Sequence, residues 1–501
     1  PKQSFTAYNT NAVHATINGY EWFSNTPNFG VSLSGDPVTA YDSLGNLYYE
    51  NMRNVGGSIV GTQIIKSTNN SQTWEASVSG NTGNDKNWIA ADQTGGPFAN
   101  YIYSTMTPGN VVRSTNLGAS FNIVFSASNN LPGMMVAVGA NGSISGGSVY
   151  VVTNTGGSTT PVFTIYRSTN GGGAFNTMSS SQFVNFVGTF TNGRHSVEGM
   201  RTRPYPFITA DNSFGPNRGR LYLIYAKNNP DQSGAKPDII CRYSTNGGTS
   251  WSSPVTVNDD ANTTQNTQFM PATWCDKETG RLYVKWMDTR DCPTSDSALI
   301  YATYSDDGGQ TFATNQQIST KKMKINCSSC GGGGDPRYQG DYDAIVSNSL
   351  TSIMSWTDFR AGRFDSYVAY FPDYAMKTNS NKVNFSNGQS ANIPVLFPSS
   401  KLYTSSVKVT ATLDSTPTSG SINISFQNGR DSITSFPDSV IITATAVGNV
   451  TPGSYPLRIV SRGPNGTPAH MRIVNLLVNA SCISVQTTRG NLVTYTVNGT
   501  P

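Results

Sequence analysis

STNGGTSW, from Ser244 to Trp251, decides the fold, because the chain writes the same phrase four more times. The other copies are STNNSQTW (Ser67 to Trp74), STNLGASF (Ser114 to Phe121), STNGGGAF (Ser168 to Phe175) and SDDGGQTF (Ser305 to Phe312). Successive copies begin 47, 54, 76 and 61 residues apart, so one supersecondary unit repeats along the chain. Small polar Ser and Asx residues followed by Gly favour a tight turn in which side-chain oxygens take up backbone N–H groups. The closing aromatic then opens the next strand and buries its ring. Only the fifth copy has Asp at the third position, Asp307; the others carry Asn69, Asn116, Asn170 and Asn246. The phrase therefore reads as a structural corner rather than as a site.

Aligning the copies exposes longer units upstream of them. Each is an apolar run, a turn and a strand rich in Leu, Tyr and Val, as in PVTAYDSLGNLYYENMR from Pro37 and PATWCDKETGRLYVKWMDTR from Pro271. A further unit from Tyr342 ends in DSYVAYF (Asp365 to Phe371) and lacks the phrase. Six units of about four strands each predict an all-β fold, a six-bladed β-propeller over residues 1–376. Residues 1–34 do not match the repeat and are expected to supply the outer strand that closes the ring, with a lead-in segment. From Lys382 the sequence alternates in short strands between Pro, Gly and Asn turns, which predicts a C-terminal immunoglobulin-like β-sandwich over 377–501. Ser481 to Pro501 reads either as one more strand or as the start of a linker.

Composition narrows the class. A chain of 501 residues is too long for one ordinary core, which agrees with two domains. The net charge of +4 is too small for a dedicated nucleic-acid binder. No apolar run reaches the roughly 18 residues that a membrane-spanning helix needs. The chain opens at Pro1 without a leader and is poor in charge, so a mature bacterial chain, secreted or displayed on the cell surface, is expected. Of six cysteines, Cys275 and Cys292 flank one hairpin and are a candidate disulfide, while Cys327-Ser-Ser-Cys330 reads as a loop staple. No metal or cofactor is expected. His14, His195 and His470 are scattered, no second cysteine pair completes a zinc site, and Gly331 to Gly334 leads into no helix pattern.

The pattern Ser-x-Asp/Asn-x-Gly-x-Thr-Trp/Phe resembles the Asp box of sialidases and other bacterial neuraminidase repeat (BNR) propellers, over roughly residues 30–372. That resemblance implies a substrate carboxylate held by three arginines, a Tyr nucleophile assisted by Glu, and an Asp acid/base. Where the family leads its first blade with Arg-Ile-Pro, this sequence has Gly35-Asp36-Pro37; LYYENMR (Leu47 to Arg53) is similar to the segment that follows.

In a propeller, loops at strand-one starts and strand-two ends line the same mouth, and polar residues gather at those positions here. The candidate catalytic residues are Asp36, Asp288, Asp341 and Asp358, as carboxyls able to face one bond, with Tyr342. The candidate binding residues are Arg203, Arg290, Arg337 and Arg360, for bidentate capture of an anion, with Trp88 to stack on a sugar. WMDTR (Trp286 to Arg290) and WTDFR (Trp356 to Arg360) place an acid and a guanidinium on one strand face. Such a pair either braces adjacent blades or presents ligands to an anionic glycan, and both readings stand. Recognition of an extracellular glycan or glycoprotein at the mouth is the leading expectation. An exo-glycosidase of sialidase type is the alternative, and a structural or adhesive surface protein, making contacts through the sandwich, is the third.

Overall fold

The computed structural model describes residues 3–6, 11–183, 188–228, 236–261, 265–293, 296–327, 329 and 336–479. Cys330, Cys482, Gly331 to Gly334 and the stretch from Ser481 to Pro501 lie outside them. The described chain is all-β, without an α-helix, and no helix is long and apolar enough to cross a membrane. It divides into two compact units: Trp22–Phe371 with most of the leading residues, and the chain from Pro372 on together with Asn18–Glu21.

In the first unit, antiparallel sheets follow one another as meanders. The first sheet runs Val38–Tyr41, Leu47–Val55, Ser58–Ser67 and Val78–Ser79. The second runs Asp85–Ala91, Ile102–Thr107, Asn110–Ser114 and Asn122–Ser126. The third runs Met135–Asn141, Ile144–Asn154, Phe163–Ser168 and Asn176–Ser181. The fourth runs Phe207–Ala210, Leu221–Asn228, Pro237–Ser244 and Val255–Thr256. The fifth runs Gln268–Cys275, Leu282–Asp288, Ser297–Ser305 and Gln316–Gln317, with Met323–Lys324 added to its third strand. The sixth has three strands, Ala344–Ser347, Ser352–Asp358 and Asp365–Phe371. First strands of consecutive sheets lie side by side from the first sheet to the sixth, and apolar clusters fill the spaces between neighbouring sheets.

The leading residues do something other than close the sixth sheet. Gln3–Thr6, Val13–Thr16 and Phe23–Asn25 form a sheet of their own beside the first, and among the described residues Asp365–Phe371 gains no fourth strand. The cause is apolar: Val13 and Phe29 pack with Leu47, Tyr49 and Ile65 of the first sheet.

All five repeats of the phrase fold alike. The opening Ser hydroxyl accepts the backbone N–H four residues on, at 2.8–3.0 Å in every copy. The third-position Asx accepts the N–H four residues beyond itself, at 2.9–3.1 Å. Burial would raise the Asp307 carboxyl, but bonds from Thr311, Ser305 and Gln310 outweigh it and hold the group below its usual range. Strand registers place every corner where first strands finish: Ser67 pairs with Leu47, which pairs with Tyr41.

Each corner also seats on the sheet before it. Arg113 of the second sheet donates to the Gly171 carbonyl in the third sheet's corner at 2.8 Å. Lys66 does the same for Leu117 at 3.2 Å, and Arg220 for Gly308 at 2.6 Å. The first corner uses the leading sheet: Asn70 donates to the Thr16 carbonyl and Asn25 to that of Ser71. The sixth sheet has no corner, so Arg281 turns to Asp306 of its own sheet, at 2.7 Å. Here the joint is an ion pair between Lys285 of the fifth sheet and Asp343 of the sixth, both buried. Burial drives the Lys285 ammonium down and the Asp343 carboxyl up, each opposed by its partner.

The second unit holds two larger sheets around one core, beside a two-stranded pair of Asp373–Tyr374 with Ser400–Lys401. One is ordered Lys377–Thr378, Ser390–Phe397, Asp438–Val447 and Ser421–Phe426. The other is ordered Lys382–Ser386, Ala469–Asn479, Gly453–Arg462, Val407–Leu413 and Ser432–Ile433. Val395 and Ile442 from the first meet Leu457 and Val474 from the second.

The Cys275–Cys292 pairing is corrected: both thiols are free and buried, as is Cys241. Cys275 pairs with Leu282 at the turn end of its hairpin, whereas Cys292 lies past Asp288, which pairs with Gln268 at the far end. The two are about 20 Å apart along the strands, far beyond disulfide reach. Cys327 is disulfide-bonded, to a partner outside the described residues.

Two expectations follow. Gly118 holds φ +79°, and a Cβ there would meet the Tyr48 ring at 2.5 Å, whereas at Gly142 (φ +61°) nothing stands within 4 Å. In denaturant melts, Gly118→Ala should cost at least about 2 kcal/mol and Gly142→Ala only about 1. Equal costs would show that the corner's seat on the preceding sheet is unimportant. Lys285→Met should cost about 3–5 kcal/mol by stranding Asp343, and Lys285→Met with Asp343→Leu should recover most of it.

Candidate functional site

The ends where first strands begin carry backbone strain. Asp36, Lys86 and Met270 have φ of 57°, 32° and 50°, left-handed values that non-glycine residues rarely adopt. Lys86 and Met270 are also extra residues in their strands, since the pairing slips between Asp85 and Asn87 and between Phe269 and Ala272. A bulge of this kind re-aims a side chain, and here Lys86 turns into the molecule. Strain of this sort persists only where surrounding packing imposes it.

Lys86 is the centre of what gathers there. It is 1% exposed, its ammonium has no hydrogen-bond acceptor, and it lies 3.5 Å from the Tyr342 ring centre and 4.3 Å from that of Tyr205. Tyrosine faces attract a desolvated cation. Each ring is in turn tied to a carboxylate. The Tyr342 hydroxyl donates toward Asp36 at 3.1 Å, with the Asn87 carbonyl 3.2 Å away. Tyr205 and Tyr338 both donate to Asp341 Oδ2, at 2.8 and 3.0 Å, leaving Asp341 Oδ1 without a partner. The network joins the starts of the first, second, fourth and sixth sheets. The third takes part by omission: Gly133 (φ +118°) has no side chain, and a Cβ there would stand 2.2 Å from the Tyr205 ring.

Burial dominates the electrostatics. It raises Asp36 to about 6, against Lys86 and the Tyr342 bond and with help from Asp341 and Asp85. It lowers Lys86, which Asp341, Asp36 and Asp85 oppose and Arg203 reinforces. Glu50 faces Val38 across the first sheet and is wholly buried. Burial raises it to about 7, although it accepts a 2.6 Å bond from Ser104.

Three arginines surround this centre without a carboxylate or carbonyl acceptor among the described residues: Arg201, Arg203 and Arg337. The Arg201 guanidinium lies over the Tyr338 ring at 4.3 Å, and its backbone N–H donates to the Arg337 carbonyl at 2.6 Å. Trp88 is half-buried and stacked on Tyr342 at 6.1 Å. Between Arg203, Tyr205, Met270 and Asp341 the remaining space is about 10 Å³, room for one water.

Asp36, Asp341, Tyr342, Arg203 and Trp88 are thus brought together, with Arg337 next to Tyr338 in the chain. The other four residues singled out from the sequence are held elsewhere, in two matching pairs. Asp288 accepts from Trp286 Nε1 at 2.8 Å, and from the Arg290 backbone and Nε at 2.8 and 3.0 Å; Arg290 also reaches Asp259. Asp358 accepts from Trp356 Nε1 at 2.9 Å, and from the Arg360 backbone and Nε at 2.7 and 2.8 Å. Both carboxylates are fully buried. Lys86, Tyr205, Tyr338, Arg201 and Glu50 complete the centre beyond the residues singled out. One alignment reveals part of it: Asp36, Gly133, Tyr205 and Tyr342 each stand two residues before their sheet's first strand. Among the described residues no three His, Cys, Asp or Glu side chains are grouped to hold a metal. His195 is buried, with Nε2 2.6 Å from the Ser158 carbonyl.

Neither a protein-family model nor a curated protein sequence matches the chain. Solved structures with some likeness include a Fusarium graminearum α-L-arabinofuranosidase in complex with arabinobiose, at TM-score 0.40 and 11% identity, over 67% of this chain and 92% of that one. Another is the Aleuria aurantia lectin, at 0.40 and 12%, over 68% and 95%. A third is Trypanosoma rangeli sialidase, at 0.37 and 9%, over 97% and 91%. At such scores the sheet order described above remains the basis for the fold.

The buried acids give a signed pH dependence. Glu50, raised in the folded state, contributes stability that is complete below its unfolded value and is lost as pH rises through about 7. Between about pH 4 and pH 8 the native protein should lose on the order of 3 kcal/mol relative to Glu50→Gln, measured as the difference between two denaturation series. Parallel pH profiles would show that Glu50 titrates normally.

Proposed function

We propose that the six sheets close into a β-propeller, followed by an immunoglobulin-like sandwich, in a secreted or cell-surface protein. The mouth at the first-strand starts recognises an acidic extracellular glycan, free or on a glycoprotein. One observation carries the ligand reading: Arg201, Arg203 and Arg337, half-buried and without side-chain acceptors among the described residues, stand at or next to one tyrosine–carboxylate centre. A guanidinium kept from water without a partner is costly, and a ligand carboxylate supplies two bonds to such a fork. The space between Arg203, Tyr205, Met270 and Asp341 holds only one water, so the sugar would lie outside it, within reach of Trp88.

A second reading, hydrolysis of a terminal acidic sugar, draws on Asp36. A carboxyl raised to about 6 and bonded to Tyr342 is poised to exchange a proton near neutrality, with Asp341 as the second carboxyl. Asp288 and Asp358 are spoken for by Arg290 and Arg360, a closure that also suits the structural or adhesive reading.

A glycan array and a fluorogenic sialoside assay separate these readings. Arg203→Ala and Arg337→Ala should each weaken array binding about 10–100-fold. Arg360→Ala should leave binding within about twofold while lowering stability, because it strands Asp358. Turnover abolished by Asp36→Asn or Tyr342→Phe supports the hydrolase; silence of the native protein in both assays sinks both ligand readings.

A further inference from the structure

The second unit carries an open groove of about 460 Å³, bordered by Ser406, Lys408, Thr410, Arg462, Gly463 and Gly466. Its floor follows from strand alternation: Ser406, Lys408 and Thr410 sit two residues apart along one edge, so their side chains share a face. Lys408 and Arg462 are direct cross-strand partners in the antiparallel register. The wall is a tight turn, in which the Gly463 N–H donates to the Pro468 carbonyl at 3.0 Å and Gly466 to Gly463 at 2.9 Å.

Two like charges directly opposite one another destabilise a sheet pair. Lys408 has Asp431 at 3.5 Å for relief. Arg462 has none. The other described arginines of the unit each have a carboxylate or carbonyl partner. Arg430 bonds Asp438, Arg458 bonds Asp414, and Arg472 donates to the Met376 and Met471 carbonyls. Arg462 has no acceptor among the described residues, its Nε is buried, and its guanidinium is held over the Tyr20 ring at 4.9 Å. Among the described residues it is an immobilised cation without a counter-charge, beside a second cation, bordering this groove.

We propose that this groove binds an acidic saccharide, its anionic group received between Arg462 and Lys408 and its hydroxyls by Ser406, Thr410 and the glycine turn. The volume suits one or two sugar units rather than a bare ion. No aromatic side chain borders the groove to stack a nucleobase. The site is independent of the mouth in the first unit.

The test titrates the full chain by calorimetry with a uronate tetrasaccharide, a sulfated tetrasaccharide, a neutral tetrasaccharide and inorganic sulfate. Acidic tetrasaccharides should bind, uronate alone placing a carboxylate and both placing a general anion between the cations. Arg462→Gln should weaken binding at least tenfold, Lys408→Ala less, and Arg462→Lys should fall between, with folding checked by melting temperature. Run in the Arg203→Ala chain, whose mouth is already weakened, the titration should keep a binding event that Arg462→Gln removes, so the two sites fail separately. The proposal is overturned by no binding up to about 10 mM. Equal binding of the neutral sugar, affinity for sulfate matching the tetrasaccharides, or indifference to Arg462→Gln overturns it equally.

Discussion

A serine hydroxyl that captures a backbone N–H four residues away is the interaction on which the first unit depends. Each such bond contributes only about 1 kcal/mol. Its effect is geometric, because it fixes a turn whose carbonyls and left-handed residue then seat on the preceding sheet. Repeated at Ser67, Ser114, Ser168, Ser244 and Ser305, the device sets the spacing between successive sheets. A cation from the neighbour, Lys66, Arg113 or Arg220, then completes the seat. Sheet after sheet is thereby aligned at one end.

Anchoring one end leaves the other free to vary. Where first strands begin there is no repeated turn, and that is where the left-handed Asp36, Lys86 and Met270 occur. Buried charges gather at the same end, around an ammonium enclosed by tyrosine rings. Such groups weaken a fold unless something else holds the scaffold. The corners at the opposite end do so, and rigidity there permits strain here.

Much of this was legible because it repeats. The corner phrase is local chemistry, read within eight residues, and Trp-x-Asp-x-Arg declares its own pairing through strand alternation. Four of the ten residues singled out for a site belong to those self-contained pairs, which spacing alone does not separate from a ligand-binding ring. Lys86 stands at a first-strand start that the sequence marks as polar, but its inward turn was hidden because it depends on a bulge, and a bulge is a property of two strands together. Tyr205 and Gly133 were hidden for a related reason: one fills the space that the other vacates, 72 residues away. The leading sheet escaped because it uses neither the phrase nor the unit, only apolar contacts with Leu47, Tyr49 and Ile65. The cysteine pairing failed on strand length, which adjacency in sequence conceals.

The missing sixth corner makes the succession of sheets unequal. Coupled units that touch only their neighbours behave as a one-dimensional chain, in which cooperativity passes from link to link and is limited by the link of a different kind. The other links are corner turns seated on the preceding sheet through Lys66, Arg113, Ser179 and Arg220; between the fifth and sixth sheets it is a buried ammonium and carboxylate. Charge hydration becomes less favourable on heating, so an ionic link softens less with temperature than its surroundings. The fifth–sixth boundary is thus held by a charge pair where the others are held by turns, a separate fuse in the circuit.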